Sequence, residues 1–371
     1  MVEELVIHIG DCKTGTTSIQ TTLALGQFVA DGRDLVYPTR FNHIPFAKKV
    51  AKGPSEALGE ARQLARAFHK SDAAIGVISA EHFEYAGPSH LAALFDGPFK
   101  PWRDRVRVIS YIRPHAERFL SSFAERSKKG GFGENMERLA ENLLNQELLF
   151  YAPRVAKWQA AFGEHYTVRP FIRDLLEDGD VVRDFFSFVF GETPVSFRNR
   201  TAQNESLSLE DLVLMRHTQS LIQEHHPNAK EAGKALGWNF SPILSGLPAE
   251  KSTKIRLHQS LARQLQDTYA EDAAALDALA FEGTPMTDRL SRAVEDAIAE
   301  PQSLRPEDHH SPEVLRLAEA HALMLGRIMA ANPAHFRWAT RPREFRAPLR
   351  EIARQEPRRM LRILYRMIRK K

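Results

Sequence analysis

The chain has 371 residues, 43% hydrophobic and 26% charged, which is the composition of a folded globular protein with a sizeable core. It has no run of about 18 apolar residues to span a bilayer, and its single cysteine, Cys12, excludes an internal disulfide. Residues 341–371 carry twelve Lys/Arg against three acids, so the formal +4 is +9 on this tail and −5 on the other 340, and no nucleic-acid partner is expected for such a body.

The first two hundred residues alternate strand-like and helix-like segments. Leu5–Ile9 is a short β-branched run that enters a glycine turn, with a helix starting near Thr16. Asp34–Tyr37 reads as a short strand, and Glu56–His69 as a helix with Leu58, Ala61, Leu64, Ala65 and Phe68 on one face. Ala73–Ser79 and Arg105–Ile112 read as buried strands. Pro114 opens a helix that runs to about Lys128, where Gly130-Gly131 ends it. His165–Phe171 is a further strand and Val181–Phe190 a further helix. Strands separated by helices imply a parallel sheet with helices on its faces, an α/β fold.

Beyond about residue 200 the pattern is mostly helical, over Leu207–Glu224, Thr253–Leu279 and Pro312–Ala331. Proline and glycine punctuate residues 227–248, which predicts an excursion or lid there. Three regions follow: residues 1–200 as the α/β core, 201–340 as a helical extension and 341–371 as a basic tail. The N-terminus lacks a basic region and a cleavage site, so it does not read as a signal peptide, and a cytoplasmic location is expected.

The stretch HIGDCKTGTTS (residues 8–18) follows the first strand. A strand entering Gly10…Gly15 and then a helix leaves backbone N–H groups around a hollow where the helix end attracts an anion. The usual nucleotide loop has its lysine after the second glycine. Here Lys13 precedes Gly15, beside the bound group, and Thr16, Thr17 and Ser18 follow as hydroxyl donors. Arg113 ends a buried strand at the sheet edge where α/β folds take ligands, and Ser121 follows eight residues later on the next helix. Such a pair suits a second phosphate.

These two features together resemble the sulfotransferases that use 3′-phosphoadenylyl sulfate (PAPS), most closely the bacterial, carbohydrate-type members. The resemblance lies in Lys13-Thr14-Gly15-Thr16-Thr17-Ser18, in the Arg113/Ser121 pair, and in residues 168–191 with Asn204-Glu205-Ser206-Leu207 after them. It implies a P-loop-like fold and PAPS as donor, with Lys13 to Ser18 on the 5′-phosphosulfate and Arg113 with Ser121 on the 3′-phosphate. The product would be adenosine 3′,5′-bisphosphate. The implied acceptor is a hydroxyl-bearing molecule of glycan or glycolipid class. One departure is Asp11-Cys12, where many relatives carry an apolar residue or proline; an acid there calls for a side chain turned away from the anion.

Sulfuryl transfer needs a base near the acceptor hydroxyl and positive charge at the leaving oxygen. Lys13 suits the second task. Glu81, two residues past the strand ending at Ser79, matches the place of the family's glutamate base. His43 and then His82 are the alternatives. Lys128-Lys129-Gly130-Gly131 reads as a flexible basic loop, either a helix end in solvent, which is favoured, or a contact to cofactor or an anionic glycan. The pairs His225-His226 and His309-His310 lack companions at zinc spacing, so no metal site is read. A kinase or NTPase on ATP is the rival reading, which Gly15-Thr16 opposes by denying the lysine its position; a non-catalytic nucleotide-binding module is the other.

The tail runs RRMLRILYRMIRKK from Arg358. At about 100° per residue its apolar and basic residues fall on opposite arcs. Either this helix lies on an anionic membrane surface, through residues 356–371, or its apolar face packs on the body.

Overall fold

The computed structural model of the chain describes residues 1–130, 135–198, 207–249 and 251–340. Its strands are β1 (Glu4–His8), β2 (Phe28–Ala30), β3 (Leu35–Val36), β4 (Ile75–Ser79), β5 (Val106–Ile112), β6 (Tyr166–Pro170) and β7 (Val195–Phe197). Helices α1 (Thr16–Leu25), α2 (Ile44–Lys52), α3 (Pro54–Lys70), α4 (Pro88–Ala92), α5 (His115–Lys128), α6 (Met136–Asn145), α7 (Ala152–Phe162) and α8 (Val181–Phe190) belong to the first half. Helices α9 (Leu209–His225), α10 (Lys230–Ser245), α11 (Gln259–Ala280), α12 (Pro285–Glu295), α13 (Pro312–Ala331) and α14 (Pro333–Ala339) make up the second. Gly131, Asn204-Glu205-Ser206 and the tail 341–371 lie outside the described residues. No helix among the described residues is long and apolar enough to cross a membrane.

Strands β3, β4, β1, β5 and β6 lie in that order in one all-parallel sheet, and β2 pairs with β7 in a separate antiparallel ribbon. Alternation along β1 explains its unbroken apolar run. Leu5 and Ile7 enter a core with Phe68, Phe119 and Phe123. Val6 faces the other way, into a core with Ile19 and Leu23 of α1 and Phe185, Phe186 and Val189 of α8. A strand covered on both sides must be apolar on both. The expected architecture, a parallel sheet flanked by helices and followed by a largely helical half, is the one observed.

Most first-half elements begin and end where their punctuation predicts. Asp180 caps α8, accepting from Val182 N at 2.7 Å, and Gly191 closes it. The segment 227–248 is a correction: it is not an excursion but the helix α10, which contains Pro242. Ala232 and Leu236 bury against Ile222 of α9 and Met329 of α13, and this packing outweighs the breaker signals. The helix expected from Thr253 starts only at Gln259, because Leu257 and Gln259 hydrogen-bond in extended form to Ile298.

The register pairs His8 with Ser79 on one side and with Ile109 on the other. The carboxyl ends of β4, β1 and β5 therefore stand side by side. The chain moves from β1 outward to β3 and β4, then crosses to β5, so the strand order reverses between β1 and β5. Open α/β sheets hold their ligands in the crevice at that point.

Candidate active site

The loop from Ile9 to Gly15 rises from β1 into this crevice. Gly15, at φ 73°, caps α1 in a left-handed conformation, and a Cβ there would stand 2.5 Å from Val181 Cγ1. The glycine thus serves both the turn and the seating of the loop on α8. Lys13 is also left-handed, at φ 72°, although it has a side chain. Thr14 is buried and turns its hydroxyl back to the Asp11 carbonyl at 2.7 Å. Thr16 is buried, Thr17 exposed and Ser18 half-buried along the first turn of α1, whose leading N–H groups have no partner within the helix.

Lys13 and Arg113 are brought together across 100 residues of sequence. Arg113 Nη1 donates to the Lys13 carbonyl at 3.1 Å, and its guanidinium lies 5.5 Å from the Phe171 ring centre. Its Nε is buried and has no hydrogen-bond partner among the described residues. Ser121 is half-buried, one turn before Glu125 on α5. Glu125 receives the ammonium groups of Lys13 and Lys129 on its two oxygens. Glu117 pairs with Arg289, and Arg118 is buried.

Burial alone would raise the Glu125 carboxyl, but Lys13 and Lys129 outweigh it and hold it at about 2, below its ordinary 4.5. A depressed acid contributes stability that is complete above about pH 4.5 and is lost as pH falls toward 2. The melting-temperature gap between wild type and Glu125→Gln is therefore expected to be constant above about pH 5 and to narrow below it. A gap unchanged down to acid unfolding would remove the ion pair from the account.

Asp11 does turn away from the hollow. It pairs with Arg154 of α7, which also approaches Glu84 at 3.6 Å. Glu84 accepts from Arg118 Nη2 at 2.9 Å and from the Cys12 backbone N–H at 3.3 Å. Burial would raise Glu84, but Arg118 and Arg154 outweigh it and keep its carboxyl low. The two carboxylates and two guanidiniums anchor the underside of the loop to α5, α7 and the short helix Glu81–Tyr85. Burial and the neighbouring Glu84 push the Cys12 thiol far up, so it stays protonated.

Glu81 stands at the start of that short helix, half-buried, with Oε2 accepting from Gln20 Nε2 at 2.9 Å. Gln20 is on α1, so one helix carries the loop at its end and orients Glu81 from its side. The same Gln20 nitrogen reaches Ser79 Oγ at 3.3 Å, and its oxygen accepts from Asn42 at 3.3 Å. His43 is buried; its Nδ1 accepts from the Ser79 N–H at 3.1 Å, which puts its proton on Nε2. Burial lowers its imidazole to about 4. His82 is half-buried, lowered by burial and set edge-on to Tyr85.

Sequence reasoning did not single out Gln20, Arg118, Glu125 or Arg154. Gln20 and Glu125 share helix faces with residues that were read, so helical spacing could have found them. Arg154 lies 143 residues from Asp11 and carried no local signal.

The fold and site define an α/β protein with a glycine-turn loop opening a helix at the sheet's switch point. No protein-family model matches the chain, and no curated protein matches it. Among solved structures, a sulfotransferase from Alicyclobacillus acidocaldarius aligns with a TM-score of 0.42 at 12% identity, covering 77% of this chain and 99% of that one. A likeness that distant does not bear on chemistry, which rests on this chain's own side chains.

Proposed function

We propose that the protein transfers a sulfuryl group from PAPS to the hydroxyl of a glycan or glycolipid acceptor. The observation that carries the reading is the Arg113–Lys13 contact, which sets the arginine of one candidate phosphate site against the loop of the other. A donor with two separated phosphates suits such a pair, with the Arg113 guanidinium on the 3′-phosphate.

The acceptor oxygen attacks sulfur as the bond from sulfur to the 5′-phosphate oxygen breaks. The electron pair of that bond stays on the phosphate, giving adenosine 3′,5′-bisphosphate and a sulfate ester. Lys13 and the N–H groups opening α1 stabilise the charge that grows on the leaving oxygen. Glu81 takes the acceptor's proton, with Gln20 fixing its carboxylate. His43 is the weaker base, because accepting from Ser79 leaves its Nε2 as a donor. Lys13 reaches the donor only by leaving or sharing Glu125.

Thermal shift with three nucleotides tests the reading. At a hundredfold its dissociation constant, adenosine 3′,5′-bisphosphate is expected to add about 2.7 kcal/mol, with AMP and magnesium ATP well below it at equal concentration. Equal stabilisation by AMP would remove the 3′-phosphate role, and preference for magnesium ATP would move the protein to the kinase or NTPase class.

A further inference from the structure

The end of α5 and the middle of α10 meet beside Lys13, and the transfer chemistry uses nothing they present. Lys128 closes α5 and Lys129 caps it. Helix α9 grips this turn: Gln219 Nε2 donates to the Lys128 carbonyl at 3.2 Å, and Gln223 Nε2 to the Gly130 carbonyl at 2.6 Å. Helix α10 passes so close that a Cβ on Gly237 would stand 2.1 Å from the Lys128 carbonyl oxygen. The helix end that the sequence reads as free in solvent is therefore held between two helices.

The next residue, Trp238, lies against both lysines. The Lys129 Nζ is 4.1 Å from its ring centre and the Lys128 Nζ 5.6 Å. Trp238 is nonetheless 47% exposed. Lys129 shares Glu125 with Lys13, so the ring is three contacts away from the ammonium assigned to the leaving oxygen. Three ammonium groups face one carboxylate there, and Lys128 is lowered by burial and by the charge of Lys13. An exposed indole attracts the polarised C–H groups of a pyranose ring, and a surplus of ammonium groups attracts an anion. A neutral sugar would leave that surplus of positive charge uncompensated.

We propose that Trp238, Lys128 and Lys129 form the acceptor subsite and that it selects an acidic sugar, stacking the ring on the indole and pairing its carboxylate with the ammonium groups. This assignment rests on the sulfuryl-transfer reading for the word acceptor, but the binding itself can be measured separately.

The experiment titrates the full chain, saturated with adenosine 3′,5′-bisphosphate, with a hyaluronan tetrasaccharide as the uronate probe and cellotetraose as its neutral counterpart, by calorimetry. The uronate probe is expected to bind at least about tenfold more tightly than the neutral one, the size of one charge-assisted hydrogen bond. Trp238→Ala and Lys128→Gln should each weaken it by about tenfold while bisphosphate affinity stays within about twofold. Equal binding of the two glycans, or binding of neither, overturns the subsite. Loss of bisphosphate affinity in both variants also overturns it, because the platform would then belong to the donor. A wild type that binds the uronate glycan with and without bisphosphate present, yet shows no bisphosphate binding, would instead remove the donor reading and leave the glycan subsite standing.

Discussion

Replacing Glu81 by Gln is expected to lower the turnover of the proposed sulfuryl transfer by a factor of about 10² to 10⁴, the usual worth of a general base. The amide keeps the shape of the carboxylate and can still accept from Gln20, whose nitrogen lies 2.9 Å from the present Oε2. What disappears is the capacity to take a proton as the acceptor oxygen attacks. Affinity for adenosine 3′,5′-bisphosphate is expected to stay within about twofold, so the effect falls on rate and not on the ground state. A Glu81→Gln enzyme working at near wild-type rate would transfer the role to His43 or His82. His43 would then have to give up the Ser79 N–H that now occupies its Nδ1.

The second large effect is on folding. Asp272 of α11 is buried, and its carboxylate accepts from the Tyr151 N–H at 2.8 Å, the Ala152 N–H at 2.9 Å and His115 Nε2 at 3.0 Å. One side chain therefore caps α7, which carries Arg154, and ties down the first residue of α5, two positions past Arg113. Asp272→Ala leaves three donors in a space closed to water. Removing one partner of such a buried group costs about 3–5 kcal/mol, to be read as a fall in the denaturant midpoint. Asp272→Asn is expected to fall between the two, since its amide oxygen still accepts while its NH₂ faces a donor. A loss under about 1 kcal/mol in Asp272→Ala would mean that the helical half does not brace this part of the sheet.

The sheet and the residues at its edge were legible because they obey local rules. Apolar runs bounded by Gly10, Ser79 and Arg113 fixed the strand ends, and the reversal of strand order brings those ends into one crevice. The Arg113–Lys13 contact follows from that geometry and from no feature of either residue alone. The buried charges were not legible. Asp11 looks unsuited to an anion loop until Arg154 is found beside it, and Glu84 reads like any carboxylate past a strand end although Arg118 and Arg154 hold it inside. Charge burial depends on partners far off in the sequence, and it leaves no period to read. Helix α10 was missed for a related reason: its glycines and proline signal a break, and only the fit of Gly237 against Lys128 shows why a glycine is wanted inside a helix.

The backbone of Lys13 carries a consequence for laboratory evolution. At φ 72° it sits where glycine is at ease and a side chain costs about 1 kcal/mol or more. Its ion pair with Glu125 offsets part of that, but Lys129 stays paired with the same carboxylate when Lys13 is gone. A library screened for heat resistance alone is therefore expected to enrich Lys13→Gly, and the clones that win would be those that have discarded the ammonium to which the proposed transfer assigns the leaving oxygen. Any such campaign has to score turnover alongside survival, because at this one position the two pull the chain toward different amino acids.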